Sequence, residues 1–154
     1  MSKKGDLAEC LFKKGYNCSQ AVLCAFCDET GLSRETSQML SSSFGGGMGR
    51  MREVCGAVSG MFMVIGLLCG YTDESDSKEK AQHYALIQEL ASKFKEQNGS
   101  IICRELLGLN TNEVCPPVPD KRTDTYYKKR PCSELVRIAA EITESELQKR
   151  GLLK

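Results

Sequence analysis

At 154 residues the chain is of single-domain size, long enough to bury most of its unfolded surface around one core without covalent staples. Its nine cysteines are therefore not needed for stability, and their odd number excludes a framework in which every thiol is paired within one chain. With 21 Lys+Arg against 20 Asp+Glu, the formal net charge of +1 supplies no global field to steer a polyanion.

The N-terminal stretch MSKKGDLAECLFKKG carries lysines but no apolar run of the length a secretory signal needs. The expectation is a cytoplasmic chain whose thiols are reduced at rest. Leu7, Leu11 and Phe12 begin a helical spacing. From Asn17 onward Ala21, Val22, Ala25 and Phe26 recur at three and four residues, which predicts a helix with a buried stripe, capped by Asn17 and stopped by Gly31. A short helix over 33–43, capped by Ser33, leads into FGGGMGR. Gly45, Gly46, Gly47 and Gly49 cannot hold a helix, and their amides with Arg50 make a candidate anion-binding nest. The loop lacks the lysine and Ser/Thr of a P-loop and follows no strand, so it is not a nucleotide fingerprint.

From about Arg52 to Gly70 the sequence is apolar nearly all round. Ser59 interrupts the run, Arg50, Arg52 and Glu53 crowd one end, Asp73 and Glu74 the other, and no second hydrophobic segment accompanies it. These features predict a buried central helix over 54–69 rather than a membrane span. Residues 77–97 read as a long amphipathic helix with Tyr84, Ile87, Ala91 and Phe94 on one face, closed by Asn98 and Gly99. Ser100 caps a short helix through Leu107, which Gly108 ends. Residues 109–130 show no period, and the four prolines (Pro116, Pro117, Pro119, Pro131) mark an irregular connection of the kind that is often functional. Its basic cluster, Lys121, Arg122, Lys128, Lys129 and Arg130 around Tyr126 and Tyr127, reads as a solvated loop rather than a nucleic-acid surface. Pro131 opens a last helix over 132–147, with Leu135, Ile138, Ala139 and Ile142 inward. No strand period and no repeat is evident. The expected fold is all-α, one domain over 1–154, a bundle of five or six helices.

On this map Cys18 follows the Asn17 cap, Cys55 follows the glycine loop, Cys103 lies three past Ser100, and Cys132 follows Pro131. All four fall at expected helix N-termini, where peptide dipoles and unpaired amides favour negative charge and should lower a thiol's pKa. A thiolate is both nucleophile and metal ligand, so this placement suits a redox thiol or a ligand. Cys24 and Cys69, deep in apolar runs, read as small core residues. The Cys24/Cys27 CxxC lies within an expected helix and lacks thioredoxin context. His83 reads as packing or surface, and Met48, Met51, Met61 and Met63 as core filling. In CGAVSG, Gly56 and Gly60 leave one helix face bare, letting a neighbouring helix or a bound group approach Cys55.

NCSQAV, FGGGMGR followed by CGAVSG, CRELLG, and the final Cys132-x-x-Leu-Val segment together resemble the C_GCAxxG_C_C family of redox-active proteins over nearly the whole chain. The resemblance implies a redox role carried by Cys18, Cys55, Cys103 and Cys132; Cys10, Cys24, Cys27, Cys69 and Cys115 lie outside the family's pattern. Three functions stay open. One is thiol–disulfide or electron-transfer chemistry with a redox partner protein or a small thiol or oxidant. Another is a module in which the four thiolates bind zinc or an iron–sulfur cluster. The third is a helical interaction protein with incidental cysteines. Within the first, Cys55 is the expected most reactive thiol and Cys132 its resolving partner. Assembly, a homodimer included, is left open.

Overall fold

The computed structural model describes residues 2–109 and 114–154. Within them the fold is all-α, with an isolated β-bridge between Val54 and Ile102. The helices are α1 (Lys3–Lys13), α2 (Cys18–Ala25), α3 (Cys27–Thr30), α4 (Arg34–Ser41), α5 (Gly56–Cys69), α6 (Ser77–Asn98), α7 (Cys103–Leu106), α8 (Asp124–Lys129) and α9 (Cys132–Lys149), with a 3-10 turn at Ser42–Phe44. Against the expected five or six, the helices that the sequence does not announce are the short pieces α3 and α8, too short to declare a period, while the short helix expected from Ser100 to Leu107 is the single turn α7, which starts after Ile102 without a side-chain cap.

The bundle is built on α1 against α9 and α2 against α5, with α6 laid along α9 and α5. Phe12, Phe26, Phe94, Met61, Ile65 and Leu90 are fully buried at its centre, each worth about 1.5–3 kcal/mol of burial. Lys4 reaches across from α1 to Glu29, 2.7 Å away in an almost fully buried pair, and also donates to Ala25 O. Arg137 ties α9 to Asp6 and Glu9 of α1.

Two expected boundaries are met by their caps. Asn17 accepts from the Gln20 amide while Gln20 Oε1 accepts from the Asn17 amide, a capping box. Gly31 ends α3 in the left-handed region, although the helix first breaks at Phe26, so Cys27 starts a new turn rather than continuing the old one. Asn17 Nδ2 also donates to Ser42 O at 3.1 Å, tying the start of α2 to the approach to the glycine loop. Asn17→Ala should therefore lower stability by about 1 kcal/mol or slightly more, read as a shift in the urea midpoint at unchanged m-value.

Other expectations need correction. In α5 the buried stretch is Gly56 to Met61 with Val64 and Ile65, but Leu67 is 46% exposed, because the helix emerges from the bundle over its last turn. On α6 the inward residues are Leu86, Leu90 and Phe94. Tyr84 points outward and stacks edge-on with Tyr71, their hydroxyls 3.0 Å apart. The connection after α7 contains α8, capped by Thr123, and its basic residues are not all solvated. Arg122 packs its guanidinium 4.0 Å over the Phe12 ring and donates to the carbonyls of Phe12 and Tyr16. Residues 110–113 of that connection lie outside the described residues. Met61 fills the core, whereas Met51 is 62% exposed. No helix among the described residues is long and apolar enough to cross a membrane.

Candidate functional site

Cys18, Cys103 and Cys132 are the first residues of α2, α7 and α9, and Cys55 is the N-cap of α5. The four line one cavity of about 390 Å³, together with Arg50, Arg52, Arg122 and Arg130 and apolar walls from Phe12, Leu106 and Leu135. None of the other five cysteines lines it. Cys24 is buried in the core, Cys27 sits 3.5 Å from Ser37 Oγ, Cys10 is exposed, and Cys69 is half-buried at the end of α5.

Glycines allow this convergence. A Cβ at Gly56 would land on the Cys18 sulfur and within 2.8 Å of Phe44 O, so the bare face of α5 is where α2 brings Cys18 in. At Gly47, which has φ +69, a Cβ would lie 2.6 Å from Cys103 Cβ and 2.8 Å from Arg52 Cα. Only glycine meets both demands there.

The glycine loop is a run of left-handed residues that includes Met48, Arg50 and Arg52, at φ 66, 65 and 62. Non-glycine residues in this region cost on the order of 1 kcal/mol each and persist only where their surroundings hold them. Here the hold is internal. The amides of Arg50, Arg52 and Glu53 donate to the carbonyls of Gly45, Gly46 and Gly47. These bonds engage the glycine carbonyls and leave the glycine amides of the expected nest out of the loop's own bonding. Gly45, Gly46, Gly49 and Arg50 still border the cavity, and the Gly46 amide faces the Cys18 sulfur.

The expected lowering of thiol pKa is not the net result. Burial pushes the Cys18 thiol up, and the amides of Gly46 and Ser19 offset only part of it. Cys55 is driven well above the usual thiol range, first by burial and then by the charge of Cys18, against the amides of Ala57 and Val58. Cys132 is pushed up to about 11 by burial and by Cys18 and Cys103, although the Tyr126 hydroxyl donates to its sulfur. The amides at the starts of α2 and α5 act in the expected direction, but burial beside neighbouring thiols outweighs them. Cys55, expected to be the most reactive, is held in the neutral form by its burial.

Positive charge is supplied by Arg50, expected at the loop, and by Arg52 and Arg130, for which the sequence implied no role at the cysteines. Arg52, only 5% exposed, donates from Nε to Cys115 Sγ at 3.3 Å and from Nη1 to Cys103 Sγ at 3.6 Å. Asp120 gathers Arg50 at 3.3 Å, Arg130 at 3.4 Å and Arg52 at 3.9 Å, and is the one acidic residue among those lining the cavity. Arg50 also donates to Pro116 O at 2.9 Å, so the proline segment is laid over the glycine loop. Arg52, Cys115 and Asp120 come from distant stretches without periodicity, and no local signal in the sequence pairs them. Among the described residues, no three of His, Cys, Asp and Glu group closely enough to hold one metal ion.

A comparison with curated proteins and with solved structures finds no match. A family model does match, over residues 16–146, and its description is "Putative redox-active protein (C_GCAxxG_C_C)". That span includes the capped start of α2, the glycine loop and all four cavity cysteines, and the chain belongs to the C_GCAxxG_C_C family.

Proposed function

We propose that this protein is a redox protein whose working centre is the set of thiols Cys18, Cys55, Cys103 and Cys132, exchanging electrons with a small thiol, an oxidant or a partner protein by thiol–disulfide chemistry. The observation that carries this is selective convergence: four cysteines from four helices line one cavity, and the other five do not. Buried thiols that raise one another's pKa are poorly placed to rest as separate thiolates. They are better accommodated as neutral thiols in the reduced state and as a disulfide in the oxidised one. Arginines at the rim stabilise the single thiolate that attack requires.

A second reading, an iron–sulfur cluster on the same four residues, is favoured by the spread of the sulfurs around a cavity rather than about a point. A cluster places sulfide between its iron atoms and so takes ligands from a wider ring than a single zinc ion does. The donor set fits: four thiols, with Arg50, Arg52 and Arg130 beside them to balance negative charge. When bound, such a group would supply one-electron transfer.

Iron, zinc and acid-labile sulfide content of anaerobically purified protein, with its visible spectrum and thiol count, separates the two. Colourless, metal-free protein that loses thiols in pairs on oxidation is the expected result. Stoichiometric iron and sulfide would replace it with the cluster, and metal-free protein whose four cavity thiols ignore oxidant would sink both.

A further inference from the structure

Cys115 is the fifth thiol beside the centre, and neither its sequence context nor the family's cysteine pattern marks it. It lies on the exposed proline segment, with Val114 93% and Val118 65% exposed on either side, and is itself half-buried rather than enclosed. Cys103, by contrast, is 7% exposed. One guanidinium, that of Arg52, donates to both sulfurs, so they cannot be further apart than that group reaches. Arg52 is held in turn by its own left-handed backbone, by the bond from its amide to Gly46 O, and by Asp120. A permanent positive charge shared between two sulfurs serves whichever of them carries the negative charge during exchange.

We propose that Cys115 is the outer thiol of a relay, which takes oxidising equivalents from a small disulfide in solution and passes them to Cys103. This rests on the thiol–disulfide reading of the centre. The Cys115 thiolate attacks RS–SR, forming a mixed disulfide and releasing one RSH. The Cys103 thiolate then attacks the Cys115 sulfur, breaks the mixed S–S bond, expels the second RSH and leaves a Cys103–Cys115 disulfide. Two protein thiols are oxidised and one RSSR is reduced, a two-electron balance. A third thiolate on the cavity wall, from Cys18 or Cys132, can next attack Cys103, freeing Cys115 as a thiol and moving the disulfide inward. The cationic rim of Arg50, Arg52 and Arg130 suits a disulfide bearing carboxylates, such as glutathione disulfide.

The test is a time course of the reduced, metal-free protein with glutathione disulfide, quenched in acid, alkylated and mapped by mass spectrometry. A glutathione adduct on Cys115 should come first, then the Cys103–Cys115 linked peptide, then oxidation among Cys18, Cys55 and Cys132. Cys103→Ser should trap the adduct on Cys115. Cys115→Ser should slow oxidation of the cavity thiols about tenfold or more, since the accessible attacking thiol is gone. Unchanged oxidation of the cavity thiols in Cys115→Ser would overturn the relay while leaving the redox centre in place. A Cys103–Cys115 link that forms while Cys18, Cys55 and Cys132 never oxidise would keep the pair and overturn the centre. If Cys115 stays reduced throughout, the relay is wrong.

Discussion

Gly56→Ala is expected to destabilise the protein by about 2 kcal/mol, although alanine is the better helix former. The intrinsic gain from replacing a helical glycine is at most about 1 kcal/mol. Against it, the new methyl would meet the Cys18 sulfur, Phe44 O at 2.8 Å and the Ser19 amide at 3.2 Å. Two of those three neighbours are backbone atoms that cannot rotate away, and overpacking of this kind costs about 1–3 kcal/mol, more where the backbone must shift. Gly66, in the same helix with nothing within 4 Å of its added Cβ, is the control: Gly66→Ala should gain up to about 1 kcal/mol. Urea unfolding of the two variants in reductant should move the midpoints in opposite directions. A Gly56→Ala midpoint at or above that of the parent would mean that α2 and α5 are not in contact at Cys18.

Raising the pH should destabilise the reduced, metal-free protein well before its lysines titrate fully. The sign follows from proton counting. An unfolded cysteine loses its proton near pH 8.5–9, whereas Cys132 in the fold holds its own to about 11, with Cys18 and Cys55 shifted in the same direction. Between these values the native state binds more protons than the unfolded state, so the stability of the fold falls as pH rises. Below pH 8 the contribution is fully present, and it is lost as pH approaches 11, at about 2 to 3 kcal/mol for Cys132 alone. Unfolding free energy measured in urea from pH 7 to 10.5 should therefore slope downward above pH 9. Cys132→Ser should flatten the slope, while Cys10→Ser, at an exposed thiol, should not. A flat profile in the parent would show that these thiols ionise freely and that the cavity is wetter than its lining suggests.

Much of the architecture was legible because it is encoded locally. Asn17 announces the capped helix start at Cys18, Gly31 and Gly99 mark left-handed stops, and Pro131 marks the helix start at Cys132. Leu67 and Tyr84 are exposed because neither an apolar run nor a periodic face tells how far along a helix its neighbours reach. The chemistry was harder to read. A helix N-terminus lowers a thiol's pKa when the site is wet, and nothing in a linear sequence says that four such termini will share one desolvated space. Arg52 and Cys115 are 63 residues apart, and their contact depends on a proline segment folding over a strained glycine loop, so neither could be assigned from its own surroundings.

The central claim, that redox chemistry resides in Cys18, Cys55, Cys103 and Cys132, is tested most directly by differential alkylation of all cysteines across a series of poised potentials. At each potential the reactive thiols are labelled, the rest are reduced and given a second label, and the ratio at every site is read by mass spectrometry. The account predicts that these four change label together through a common midpoint, while Cys10, Cys24, Cys27 and Cys69 keep a constant ratio. Four cavity cysteines that label identically at every potential, or a change confined to the cysteines outside the cavity, would contradict it.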